Sequence, residues 1–189
     1  MNPFRQAGLL AGAIALAFGL VACGDDDDVA EPAGAATTEQ PANGGEVIEV
    51  EMADFEYRGL PDTIAAGTQI SVVNSAASEL HEIVVFKLAD GDDRPLDDFL
   101  AMTEEEFGAA LGGPPVMVLL APPGGPQIAA VGDGTFTEPG RYLYFCAIPT
   151  GVEPAVYLAA AQESGGEQPQ VEGGPPHFVH GMYGELTVQ

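Results

Sequence analysis

From residue 46 onward the chain is cut by glycine and proline into short β-type runs, and this segmentation restricts the fold more than any other feature. Residues 47–52, 69–74, 82–87, 127–131, 140–146 and 183–188 are rich in β-branched and aromatic side chains with partial apolar–polar alternation. Gly67 and the pair Pro139-Gly140 supply turns between them. Many short strands at close spacing predict an all-β sandwich of about seven or eight strands. Two stretches interrupt the pattern. Between Pro95 and Leu111, Leu96, Phe99, Leu100, Met102, Phe107 and Leu111 stand among acids, and Thr103 with Glu106 forms a capping box. A helix is expected there, stopped by Gly112-Gly113-Pro114-Pro115. In residues 149–176, Pro154 opens a second short helix through Tyr157, Leu158 and Ala161, because proline is tolerated in a first turn.

The N-terminal part has a different character. One arginine, Arg5, precedes an apolar stretch over residues 9–21, which is shorter than the ~20 residues a transmembrane helix needs. A secretory signal peptide over residues 1–22 fits instead. Leu20-Val21-Ala22-Cys23 resembles a bacterial lipobox, so Cys23 is the expected lipidation site. Residues 23–45, dominated by Asp, Ala, Gly, Pro, Thr and Glu, read as a flexible acidic linker between the anchor and the domain. The domain itself is expected over 46–189, with insertions at about 90–126 and 149–176. The chain carries 29 acidic against 5 basic residues, a formal net charge of −24. Such a field repels phosphate backbones and argues against nucleic acid as a partner.

The chain has 3 histidines, and Cys146 is its one cysteine beyond Cys23. His81 follows a polar loop between two strand runs, Cys146 ends an aromatic strand, and His177 lies just before the last strand with Met182 five residues on. Any one of these alone reads as an ordinary core or surface residue. Together they are the ligand set of a blue-copper site, two imidazoles and a thiolate in a plane with a weak axial thioether. Met52, Met102 and Met117 are scattered and read as packing residues, and Tyr142, Tyr144 and Phe145 as core aromatics.

These residues carry a family resemblance. The Val73-Asn74 strand end before His81, the run Pro139-Gly140-Arg141-Tyr142-Leu143-Tyr144-Phe145-Cys146, the pair Pro176-His177 and the ending Gly181-Met182-Tyr183-Gly184-Glu185-Leu186-Thr187-Val188 resemble the plastocyanin/halocyanin group of cupredoxins. The resemblance implies a Greek-key β-sandwich holding one type 1 copper, with His81, Cys146 and His177 as strong ligands and Met182 axial. It implies a one-electron carrier rather than an enzyme, serving redox proteins of a membrane electron-transfer chain. Such a carrier is expected as a lipid-anchored monomer on the outward, periplasmic or extracellular, side of the cell membrane. The alternatives are copper storage, delivery or sensing, or a copper-free interaction module. Three departures stand out. Cys146 and His177 are 31 positions apart, where the family has a short ligand loop. Glu82 follows the first ligand, where many members have an asparagine that ties the ligand loops together. The segment between Pro95 and Leu111 is extra. His180, three residues after His177, is expected on the solvent side of the site, with a role as alternative ligand the lesser reading.

Overall fold

A computed structural model describes residues 45–189 except 112 and 166. The expectations for the signal peptide, Cys23 and nearly all of the linker fall on residues 1–44, outside the described residues. Among the described residues no helix is long and apolar enough to cross a membrane.

Among the described residues nine strands form two sheets, so the all-β sandwich expected from the segmentation is present. The smaller sheet holds β1 (Val47–Ala53), β2 (Glu56–Arg58) and β4 (Gln69–Asn74) in the order β2-β1-β4, with β1 and β4 parallel. The larger sheet adds β3 (Thr63–Ile64), β5 (His81–Lys87), β6 (Met117–Ala121), β7 (Ile128–Val131), β8 (Gly140–Phe145) and β9 (Tyr183–Val188), in the order β3-β9-β8-β5-β6-β7. Val50, Met52, Ile70 and Val72 from the first sheet and Ile83, Val85, Leu119, Tyr142 and Leu186 from the second share one buried cluster. Alternate side chains of each strand point into it, as the period-two geometry of strands requires. The β2 and β3 strands have 3 and 2 residues and were not legible, because alternation cannot show over so few positions.

The outer face of the larger sheet is also covered. The expected single helix is two, α1 (Leu96–Leu100) and α2 (Glu104–Leu111). The break falls at Thr103, which caps α2. The Glu106 amide donates to Thr103 Oγ1 at 3.3 Å, and the Thr103 amide donates to a Glu106 carboxylate oxygen at 2.9 Å, closing the capping box. Phe99 and Leu111 pack with Leu88 and Leu143 in a second cluster, against which Phe86 and Phe107 lean. The dense run in β5 follows from this, since a strand buried on both faces has no solvent side to alternate toward. The α1–α2 pair roofs an aromatic-lined cavity of about 570 Å³ whose walls include Phe86, Phe107, Phe145 and Phe178.

The loop leading to His81 is held by Asn74. Its side-chain amide donates to the carbonyls of Glu79 at 2.9 Å and Ala121 at 2.7 Å, and its oxygen accepts from the Ala76 amide at 2.9 Å. One buried side chain therefore ties the end of β4 to the end of β6 and shapes residues 74–81. Asn74→Ala removes all three bonds and leaves buried backbone groups without those partners. Chemical denaturation of the variant should show a loss of about 1–3 kcal/mol.

Candidate metal centre

The antiparallel register of β5 with β8 pairs Val84 with Phe145 and Val85 with Tyr144. The N-terminal residues of β5, His81 and Glu82, are thereby carried alongside Cys146 as it leaves β8. Bringing in His177 requires the chain to return after 31 positions. It returns as a pinched hairpin. Pro149 and Pro176 form an antiparallel bridge. The Thr150 amide donates to Pro175 O at 3.1 Å, Gly174 N to Thr150 O at 2.9 Å, His177 N to Ile148 O at 3.0 Å and Phe178 N to Cys146 O at 3.0 Å. Gly173 and Gly174 permit this approach, because a Cβ on Gly173 would lie 2.7 Å from Pro149 Cβ and one on Gly174 would strike the Thr150 hydroxyl. Closed at its base, the long insertion leaves the Cys146–His177 relation as local as a short loop would.

Three of the predicted donors meet. His81 Nδ1 lies 3.0 Å from His177 Nδ1, which lies 3.2 Å from Cys146 Sγ. The donor atoms of the three residues fall within 4.8 Å of one another, and all three residues are 0% exposed. Met182, the fourth predicted residue, is also 0% exposed. Its carbonyl accepts from the Cys146 amide at 3.0 Å, and its amide donates to His177 O at 3.3 Å. His180 is not among the converging groups. It is exposed at the end of a 3-10 turn, His177–His180, which closes on Gly181 in the left-handed conformation, φ 106°.

Glu82, whose effect the sequence leaves open, joins the segment after His81 to the segment after Cys146. Its backbone amide donates to Cys146 Sγ at 3.5 Å, and one of its carboxylate oxygens accepts from the Ala147 amide at 3.3 Å. The Tyr57 hydroxyl donates to its backbone carbonyl at 2.5 Å, and the Tyr157 hydroxyl lies 3.3 and 3.4 Å from its two carboxylate oxygens. Phe55, in the turn after β1 with φ 59°, sets its ring 5.0 Å from that of His177 and 4.9 Å from that of His180. Phe55 and Tyr57 were not anticipated, and Tyr157 was read only as part of a helix. Nothing in their local sequence marks them, since each reaches the site by tertiary packing alone.

Burial sets the protonation states. It lowers His81 to about 4, with the neighbouring His177 ring adding to the effect, and it lowers His177, where Glu79 opposes the shift. It raises Glu82 to about 7 against the bonds from Ala147 and Tyr157, and pushes the Cys146 thiol well up. At neutral pH the bare site thus holds two neutral imidazoles and a protonated thiol. His81 Nε2 is buried without a hydrogen-bond partner, and His177 Nε2 lies 3.4 Å from a Glu79 carboxylate oxygen. A buried cluster of imidazole nitrogens facing a sulfur fits a metal, and this soft–borderline donor set suits one copper ion.

No family model matches the chain, and no curated protein matches it. The solved structures similar to this chain include two auracyanins. Na-dithionite-reduced auracyanin from the photosynthetic bacterium Roseiflexus castenholzii is 22% identical, with a TM-score of 0.41, covering 77% of this chain and 99% of that one. Auracyanin B is 19% identical, with a TM-score of 0.32, covering 81% of this chain and 93% of that one.

The shifted groups make the metal-free protein sensitive to acid. A depressed histidine binds fewer protons folded than unfolded, so its contribution is complete above about pH 6.5 and is lost as pH falls toward 4. Glu82 acts oppositely, binding a proton when folded between about 4.5 and 7, so its contribution declines as pH rises through that window. Between pH 4.5 and 6.5 these two nearly cancel, so thermal unfolding of the metal-free protein at pH 4.5, 5.5 and 6.5 should show only the shallow rise contributed by the lowered His177. Glu82→Gln should steepen it. A slope unchanged by Glu82→Gln would contradict the assignment of the raised carboxyl.

Proposed function

We propose that this protein is a one-electron carrier of a single type 1 copper, which His81, Cys146 and His177 would hold as strong ligands and Met182 as a weaker thioether ligand. The observation that carries the reading is the convergence of His81 Nδ1, His177 Nδ1 and Cys146 Sγ in a solvent-free pocket. Copper bound there supplies a Cu(II)/Cu(I) couple. The residues of the chain supply a mixed imidazole–thiol cage, exclude water, and hold the donors on strand ends and a zipped loop, so that little has to move when the charge changes. Cys146 beside His177 also has the outline of a nucleophile and its base, but both are 0% exposed and no substrate carbonyl can reach the sulfur. An electron can leave such a site without contact, and a substrate cannot enter it.

In this reading Cys23 carries the lipid and residues 23–45 let the domain search for its partners near the outward membrane face. Those partners are redox proteins of a membrane chain that tolerate or require an anionic carrier. The domain acts as a monomer, since one chain contains all four ligands. Storage or delivery of copper would use the same residues, but it gains nothing from a cage sealed from solvent.

The test is the visible spectrum of the Cu(II)-loaded protein. An intense thiolate-to-copper band in the red is expected, absent in Cys146→Ser and abolished or broadened in His177→Ala. His180→Ala should leave it nearly unchanged. A colourless protein with ordinary tetragonal copper signals sinks the electron-transfer reading, and reversed results for His177 and His180 sink the ligand assignment.

A further inference from the structure

The β8–β9 ladder needs no residue of 149–176, yet this insertion sends Val152 and Tyr157 into the main core cluster, and Tyr157 reaches the metal centre. Pro154 starts α3 (Pro154–Glu163). Val156 on that helix is 55% exposed, whereas Tyr157 is 1% exposed and belongs to the main core cluster. Its hydroxyl lies 3.3 and 3.4 Å from the Glu82 carboxylate oxygens. Glu82 in turn touches the cysteine segment twice: its amide donates to Cys146 Sγ at 3.5 Å, and its carboxylate accepts from the Ala147 amide at 3.3 Å. A continuous chain of contacts therefore runs from the insertion to the sulfur.

We propose that the 149–176 insertion is a working part of the metal centre, in which Tyr157 is a positioning residue that acts through Glu82 to hold the N–H donor on the Cys146 sulfur. The inference rests on the copper reading for its consequence, though not for its geometry. A buried carboxyl satisfies few partners at a time, and a carboxyl that loses one will turn toward another or admit water. Here the Ala147 amide and the Tyr157 hydroxyl are the two groups that fix its orientation. Without the hydroxyl, the carboxyl is held from one side only, and the Glu82 peptide that caps the sulfur loses its side-chain tether to the Cys146 strand, keeping its ladder pairing and the Tyr57 bond to its carbonyl. Hydrogen bonding to the cysteine sulfur is one of the levers that sets the potential of such a site. The insertion would thus tune the centre while its surface remains available for other uses. A tyrosine serving only as packing predicts something different, because phenylalanine fills the same volume.

The experiment compares the intact chain with Tyr157→Phe, Glu82→Ala and Glu82→Gln. In the metal-free proteins, amide hydrogen exchange of Glu82 and Ala147 should be up to about tenfold faster in Tyr157→Phe, the scale of one lost hydrogen bond. Amides of β1 and β4 should be unchanged. Glu82→Ala should reproduce the effect. Glu82→Gln, which keeps an oxygen acceptor for both partners, should retain most of the protection. In the Cu(II)-loaded proteins, Tyr157→Phe should shift the thiolate-to-copper band and the reduction potential without removing the band. Exchange that stays at the wild-type rate in Tyr157→Phe overturns the proposal, as does exchange that accelerates uniformly across the domain, which marks a packing role. A loaded Tyr157→Phe protein with unshifted band and potential also overturns it. A wild-type chain that gives no thiolate band sinks the copper reading instead, while the exchange comparison still reads the relay.

Discussion

The antiparallel ladder between β5 and β8 is the constraint from which the rest of the site follows. Its register, Val84 opposite Phe145 and Val85 opposite Tyr144, puts the start of one strand beside the end of the other. A slip of one residue would turn every side chain on the slipped strand to the opposite face, exchanging Ile83 and Val85 in the main core for Val84 and Phe86 on the helix-covered side. Because both faces of β5 are packed, such a slip is strongly disfavoured, and the positions of His81, Glu82 and Cys146 are fixed by the packing of residues that take no part in the chemistry. The second constraint is the zipper at Pro149 and Pro176, which lets His177 arrive after a long excursion with its amide bonded to Ile148 O and that of the next residue, Phe178, bonded to Cys146 O.

Much of this was legible before the structure, and the boundary between what was and was not is physical. The β1 and β4 strands showed partial alternation and β5 a dense β-branched run, Thr103 and Glu106 announced a helix start, and Pro154 announced another, because each signal lies within a few residues. The donors His81, Cys146 and His177 were legible as a set because donor type is written in the side chain itself. What could not be read was reach. The gap between Cys146 and His177 looked like a threat to a rigid ligand loop, and only the bonds across its base remove that threat. Tyr157 and Phe55 bear on the site from residues whose neighbours in sequence are unremarkable. Glu82 looked like a departure of uncertain effect, and the structure gives it the tying role through Ala147.

The surface follows a separate logic. Among the described residues the four basic side chains, Arg58, Lys87, Arg94 and Arg141, each pair with a carboxylate. Exposed pairs of this kind contribute little to stability. Their effect is to use up the positive charge, so that nearly all the remaining exposed charge is negative. Arg141 is the exception in kind, since besides Glu185 it donates to the carbonyls of Asp92 and Arg94 and so fastens the segment before α1 to the β8–β9 pair. A field of one sign steers encounter with a cationic surface at long range and fades with ionic strength, while the neutral, buried centre is indifferent to it.

The interior and the surface thus divide the work by dielectric. In the dry site, neutral imidazoles and a protonated thiol are the favoured state of the bare protein, because burial penalises every charge that is not compensated. A cation entering the site reverses that preference for the sulfur, whose proton must leave as the metal arrives. The same burial that makes the empty site acid-sensitive therefore makes the thiolate conditional on its metal, and keeps Cys146 unreactive until then. Glu82 stands at the junction of the two regimes. Its raised carboxyl limits the negative charge set beside a developing thiolate, and its peptide N–H offers that thiolate a dipole of the right sign. A residue that keeps its own charge in check while stabilising another's needs a fixed orientation, and in this protein the groups that fix it come from the peptide after Cys146 and from the helix that the insertion adds.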